Sequence, residues 1–226
     1  ILASGVVPTT VEFMGRKVIS LWEKYYDEKF PIANGDGFII LGLDSLTKEE
    51  LDAELKLALA ATKKFKAADA VILDANSEEA KKIWTCREAL LLAIQKSTPK
   101  MDEVDICVPI NHIPDVLHRV DELEQEVGMR IPNFGHAGDG NLHIYLCSDA
   151  MSDEEFEQKS HYVITELYKT AKALDGNMSG EHGIGYACKD WFEDFYGHDY
   201  TELLRKIKHV FDPNYVLNPD KIFPME

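Results

Sequence analysis

No apolar run in this sequence approaches the roughly 20 residues that a membrane-spanning helix needs. The longest stretches, Phe38 to Leu43 and Val71 to Leu73, are strand-sized. A basic leader with a small-residue cleavage site is also missing, so no secretory signal is visible. Positive charge is scarce. The formal net charge is -16, which excludes a protein that grips phosphate backbones through clustered Lys and Arg. The four cysteines, Cys86, Cys107, Cys147 and Cys188, form no Cys-x-x-Cys pair, which argues against a zinc ribbon or an iron–sulfur site. Cys107 and Cys147 lie in strand-like apolar stretches and read as small core residues. There is no Gly-x-Ser-x-Gly elbow and no phosphate loop, so acyl transfer and NTP chemistry lack support. A cytoplasmic location, peripheral at a membrane only through a partner, fits these absences. The opening Ile1-Leu2-Ala3-Ser4 has no methionine and reads as the middle of a longer chain.

What is present is enough for one sizeable core: 226 residues, 45% hydrophobic. Apolar positions at Val11, Met14, Val18, Leu21, Trp22 and Tyr25 have helical spacing over 11–29. Pro31 and Asn34-Gly35-Asp36-Gly37 break that pattern, and 38–43 then reads as a strand. Thr47-Lys48-Glu49-Glu50 is a capping box that opens a helix to about Phe65. Ala70 to Asp74 reads as a strand. Ser77 caps a helix to about Ile94. Val104 to Pro109 is a strand, 111–127 a helix stopped by Gly128, and 130–135 and 141–147 are strands about a tight turn. Ser152 to Glu155 opens a helix to about Leu174, and a last helix covers about 201–211. The pattern predicts an α+β fold, mainly an antiparallel sheet with helices on one face, of ferredoxin-like (split β-α-β) repeats with a C-terminal helical segment. No linker interrupts it, so 1–226 reads as one domain.

Three segments carry candidate chemistry. In Gly135-His136-Ala137-Gly138-Asp139-Gly140-Asn141-Leu142-His143, Asp139-Gly140 is a hairpin turn. Strand alternation puts Asn141, His143 and Tyr145 on one face, turned to water, a ligand or a cavity. A regular hairpin brings His136 near His143. Two such histidines either bind a metal or simply hydrogen-bond within a polar turn. In Ser179-Gly180-Glu181-His182-Gly183-Ile184-Gly185, the glycines imply close backbone approach or positive φ, and Glu181-His182 is either a rigid carboxylate–imidazole pair or a solvated loop. Arg87 shares a helix face with Ile83, Trp84, Leu90, Leu91 and Ile94. A guanidinium there needs an anion, either Glu88 or another carboxylate of the chain, or a substrate carboxylate.

Taken together and in order, these segments resemble the C-terminal domain of the FAD-linked oxidases of the vanillyl-alcohol-oxidase superfamily, in the group of D-lactate dehydrogenase, the glycolate oxidase flavin subunit and D-2-hydroxyglutarate dehydrogenase. The carrying residues are 135–143, 179–185 and Phe-Asp-Pro-Asn-Tyr-Val-Leu-Asn-Pro-Asp-Lys-Ile-Phe (211–223). Weaker matches are Gly5 to Pro8 with Glu12, Trp84 with Arg87-Glu88, and Asp105 to Pro109. The resemblance implies an N-terminal FAD domain of the same polypeptide. It implies that His136, His143 and Glu181 bind a divalent metal, commonly zinc, and that Arg87 and Asn141 hold the substrate. It makes His182 the base and places Asn218 near the flavin. The implied function is a 2-hydroxy-acid dehydrogenase that passes electrons to an acceptor protein or a quinone, the isolated chain being inactive and open to homodimerisation. A metal-containing binding or interaction domain without turnover is the alternative. Relatives acting on 2-hydroxyglutarate carry a lysine where this chain has the acidic Met101-Asp102-Glu103-Val104-Asp105. The charge favours a monocarboxylate such as lactate or glycolate unless Lys96 or Lys100 reaches in.

Overall fold

The computed structural model describes residues 1–65, 67 and 70–223. The chain divides into two compact units, Ile1–Met101 with Pro132–Gly138, and Asp102–Ile131 with Asp139–Glu226. The α+β class and the antiparallel strand pairing expected from the sequence are both present.

In the first unit, β1 (Thr10–Gly15) pairs antiparallel with β2 (Gly37–Gly42) on one side and β4 (Asn133–His136) on the other. This corrects the helix expected over 11–29. The span begins as strand, through Gly15, and only α1 (Arg16–Tyr26) is helix. The reason is the burial pattern. Within β1, Glu12 and Met14 are the buried residues, a period of two that a buried glutamate disguises. α1 then buries Val18, Ile19 and Trp22 and packs on α4 (Leu90–Ser97), which buries Leu90, Ala93 and Ile94. Between β2 and α4 lie α2 (Lys48–Lys64) and α3 (Glu78–Glu88). The Thr47 capping box is closed in both directions, as expected, and Ser77 caps α3. The single helix expected to Ile94 breaks at Ala89. The strand expected over 70–74 does not form. Val71 and Ile72 are more than half exposed, so this short apolar run finds no burial to stabilise a strand.

The second unit contains β3 (Lys100–Cys107) from Asp102 onward and its hydrogen-bonded neighbour β5 (Asn141–Ser148). α5 (Ile113–Val127) packs on α6 (Asp153–Ala173). α5 stops at Gly128, whose φ of 68° is left-handed, as the sequence reading required. Every residue of β5 is buried. The face carrying Asn141, His143 and Tyr145 is therefore enclosed rather than turned to water. Gly140 has φ 89°, and a Cβ there would lie 1.8 Å from the Val108 carbonyl oxygen, so only glycine fits the turn before β5. A helix the sequence reading missed, α7 (Lys189–Tyr196), precedes α8 (His198–Phe211). Among the described residues no helix is long and apolar enough to cross a membrane.

The cysteines are all free thiols. Burial pushes Cys86 up to about 12 and Cys147 up to about 11. Burial also raises Cys107 and Cys188. None has the low thiol pKa of a reactive cysteine.

Candidate functional site

The sequence-derived candidates divide between the two units. Arg87 and His136 belong to the first, and Asn141, His143, Glu181, His182 and Asn218 to the second.

In the first unit, β1–β4 pairing sets Glu12 directly opposite His136, and cross-strand partners on one face touch. Glu12 joins the two candidates. Its Oε2 accepts from Arg87 Nε at 2.9 Å and from Nη2 at 2.6 Å, while its Oε1 lies 2.9 Å from His136 Nδ1. The Arg87 and Glu12 side chains are 11% and 10% exposed, and the guanidinium stacks 4.7 Å from the centre of the Phe134 ring. The anion that Arg87 requires is thus Glu12, not the neighbouring Glu88. A carboxylate on Nδ1 favours the tautomer with its proton there, which places the lone pair on Nε2. Glu12 entered the sequence reading only as a weak family match. The signal available was an acidic residue among apolar ones.

In the second unit, the backbone of the loop after α6 meets that of β3 at Asn177. Asn177 and Cys107 exchange backbone hydrogen bonds of 2.7 and 3.1 Å in an antiparallel bridge. Antiparallel continuation by two residues brings Ser179 opposite Asp105. There the Asp105 side chain replaces the ladder. Its Oδ2 accepts from the backbone N–H of Gly180 and Glu181 at 3.0 Å and of His182 at 2.8 Å, and from the Ser179 hydroxyl at 3.0 Å. Its Oδ1 accepts from Asn141 Nδ2 at 2.6 Å, and the same amide donates to the Ile106 carbonyl. Burial by itself would raise the Asp105 carboxyl. The His182 amide, the Asn141 side chain, the Glu181 amide and the Ser179 hydroxyl outweigh it and hold the group below the usual carboxylate range. A Cβ on Gly180 would come 2.0 Å from Asn141 Nδ2, so glycine is needed for the loop to sit this close.

The result is a paired-imidazole cluster. The His143 and His182 rings stack at 5.1 Å and 22°. Glu181 Oε1 lies 3.3 Å from His143 Nε2 and 3.6 Å from His182 Nε2. Glu103 Oε1 lies 3.8 Å from His143 Nδ1 and 3.4 Å from His182 Nδ1. A carboxylate therefore stands at each edge of the stack. His143 is buried, and His182 and Glu181 are half exposed. Ligand atoms of Glu103, His143 and His182 lie within 4.8 Å of one another. Glu103 Oε1 is itself buried without a hydrogen-bond partner among the described residues. A desolvated carboxylate oxygen facing two imidazoles suits a cation or shared proton. Imidazole with carboxylate is a donor set that fits zinc and its neighbours.

Asn218 is exposed on the segment after α8, with φ 45°. Asp212 accepts from the Val216 and Leu217 amides and so fixes that segment. Asn218 lines a pocket of about 570 Å³ together with Arg205, Lys208, His209 and Tyr215.

The family described as "FAD linked oxidases, C-terminal domain" matches residues 1–222. A D-lactate dehydrogenase of Anaerostipes hadrus is 34% identical over 96% of this chain and 46% of its own length. A D-2-hydroxyglutarate dehydrogenase of Stutzerimonas stutzeri is 33% identical over 67% of this chain and 33% of its own. The chain thus spans less than half the length of these relatives. Among solved structures, a 4-ethylphenol oxidase from Gulosibacter chungangensis superposes with a TM-score of 0.60 at 13% identity, covering 95% of this chain and 47% of that one. That likeness concerns the fold alone.

Proposed function

Because this chain belongs to the FAD-linked oxidases as their C-terminal domain, we propose that it is the substrate- and metal-binding part of a flavin-dependent 2-hydroxy-acid dehydrogenase, of D-lactate or glycolate type. The observation that carries the reading is the stacked His143–His182 pair held between Glu103 and Glu181. In this reading His136, His143 and Glu181 hold a divalent ion, with zinc fitting the donors. When bound, the ion supplies Lewis acidity toward the substrate hydroxyl and the flavin of the complete polypeptide supplies the hydride acceptor.

The chain's own residues do the rest. His182, half exposed beside His143, takes the proton of the 2-hydroxyl as general base. Asn141 gives its amide hydrogens to Asp105 and the Ile106 carbonyl and turns its amide oxygen to the substrate. Arg87 gives Nε and Nη2 to Glu12 and keeps Nη1 for the C1 carboxylate. Glu12 holds His136 by Nδ1. Asn218 borders the flavin. Removing the ion from the complete flavoprotein with a chelator is expected to abolish D-lactate oxidation, and zinc to restore it. Full activity in thoroughly metal-free protein contradicts the metal assignment.

Glu103 bears on substrate choice. Its carboxylate sits against His182 and His143, where a second substrate carboxylate meets like charge. Lys96 is engaged 4.2 Å above the Tyr26 ring. D-2-hydroxyglutarate is expected to show a kcat/KM at least about tenfold below that of D-lactate, or roughly 1.4 kcal/mol. Glu103→Lys narrows the gap. A wild-type preference for 2-hydroxyglutarate removes the charge argument.

α8 exposes Leu203, Ile207, Val210 and Phe211 on one stripe. In this reading the rest of the complete polypeptide covers it. The 25.6 kDa chain alone is then expected to self-associate with rising concentration in light scattering. A constant monomer mass speaks against it.

A further inference from the structure

We propose that Asp105 is the positioning residue of this site: its carboxylate anchors the Ser179–His182 loop and so sets Glu181 and His182 against His143. The geometry is one-sided. One oxygen collects three consecutive backbone N–H groups and one hydroxyl, all within 2.8–3.0 Å. Three successive amides converge on a point only when the backbone curls around it, and a curled backbone needs an anion or water at its centre. Here the anion comes from β3. Two further ties flank this curl. Ser179 Oγ closes the curl by accepting from the Gly183 amide, and the Asn177–Cys107 bridge fixes the loop two residues earlier.

The other oxygen of Asp105 reaches Asn141 at the start of β5. Asp105 thereby ties three parts of the site to a single buried group, 7% exposed. It orients the Asn141 amide, it fixes the backbone from which the Glu181 and His182 side chains depart, and its Oδ1 stands 3.9 Å from His143 Nδ1. It acts through the groups it holds. The inference rests on the reading of Glu181 as ligand and His182 as base, although the anchoring itself does not.

The test combines amide hydrogen exchange with zinc affinity, measured by chelator competition, on wild type and on Asp105→Ala, Asp105→Asn and Ser179→Ala. Exchange at Gly180, Glu181 and His182 is expected to be slow in wild type. It should accelerate about tenfold or more in Asp105→Ala, while the amides of Leu142 to Leu146 in β5 keep their protection. Asp105→Asn keeps an acceptor for the amides but sets an NH2 against Asn141 Nδ2, so it falls between. Zinc affinity should follow the same order, weakened about 10–100-fold in Asp105→Ala, and partly recovered in Asp105→Asn. Should Asp105→Ala fail to fold, Ser179→Ala leaves the carboxylate in place and is expected to speed exchange at residues 180–183 alone. Unchanged exchange there, or a loss spread equally over β5, overturns the proposal. If wild type binds no zinc, the functional reading fails, while the exchange pattern still decides the anchoring. If wild type binds zinc and the Asp105 variants bind it equally well, the positioning role fails and the functional reading stands.

Discussion

Replacing His182 with glutamine is expected to lower kcat for D-lactate in the complete flavoprotein by about 10²–10⁴-fold, the usual contribution of a positioned general base. The expectation comes from place as much as from residue type. His182 is the half-exposed member of the imidazole pair, whereas His143 is buried at 5%. A proton acceptor for an incoming substrate has to be reachable, and a ligand does not. Its backbone is fixed by Asp105 and its ring by stacking on His143, so glutamine at this position leaves the scaffold intact and removes only the basic nitrogen. Binding should change little. KM within a few-fold of wild type alongside the fall in kcat is the pattern of an interaction made mainly in the transition state. A kcat within about threefold of wild type would remove His182 from the chemistry.

The second large effect is on stability. Arg87→Ala is expected to destabilise the chain by about 3–5 kcal/mol, because it strands the buried Glu12 carboxylate without its cation. The pair's exposure of 11% and 10% puts it well outside the regime of weak surface ion pairs. The guanidinium also covers the Phe134 ring, a contact that alanine loses. Arg87→Lys retains the charge but not the two-pronged contact, so it should cost less and still weaken substrate binding. The double variant Arg87→Met with Glu12→Gln separates the two roles. It removes the ionic pair together and should recover much of the stability without recovering D-lactate turnover. Urea unfolding midpoints for the four proteins measure this directly. An Arg87→Ala chain as stable as wild type contradicts the buried-pair account.

The sequence made some elements readable and concealed others for physical reasons. Helices with side-chain caps were legible at their starts, as with Thr47 and Ser77, because the cap is a local interaction between residues three apart. The αL stop at Gly128 was legible for the same reason. β1 was concealed, because its buried alternate positions are Glu12 and Met14, and the glutamate is satisfied by Arg87 and His136, 75 and 124 residues away. The helix break at Ala89 was concealed as well, since the apolar periodicity runs through it unbroken. Among the candidate residues, His136, His143, Glu181 and His182 stood out as chemical groups in glycine-rich segments. Asp105 did not, although an aspartate inside Val104-Asp105-Ile106-Cys107-Val108 was a signal. A buried carboxylate demands donors, and a glycine-rich loop is where unused backbone N–H groups are found. The need of Arg87 for an anion was correctly read, but the chain supplies one itself.

The most direct measurement is anaerobic mixing of the complete flavoprotein with D-lactate, glycolate and D-2-hydroxyglutarate in turn, following loss of flavin absorbance in single turnover. The account predicts rapid bleaching by D-lactate or glycolate, slower bleaching by D-2-hydroxyglutarate, and almost none by any of them in His182→Gln. Bleaching fastest with D-2-hydroxyglutarate, or none with any 2-hydroxy acid, would contradict it.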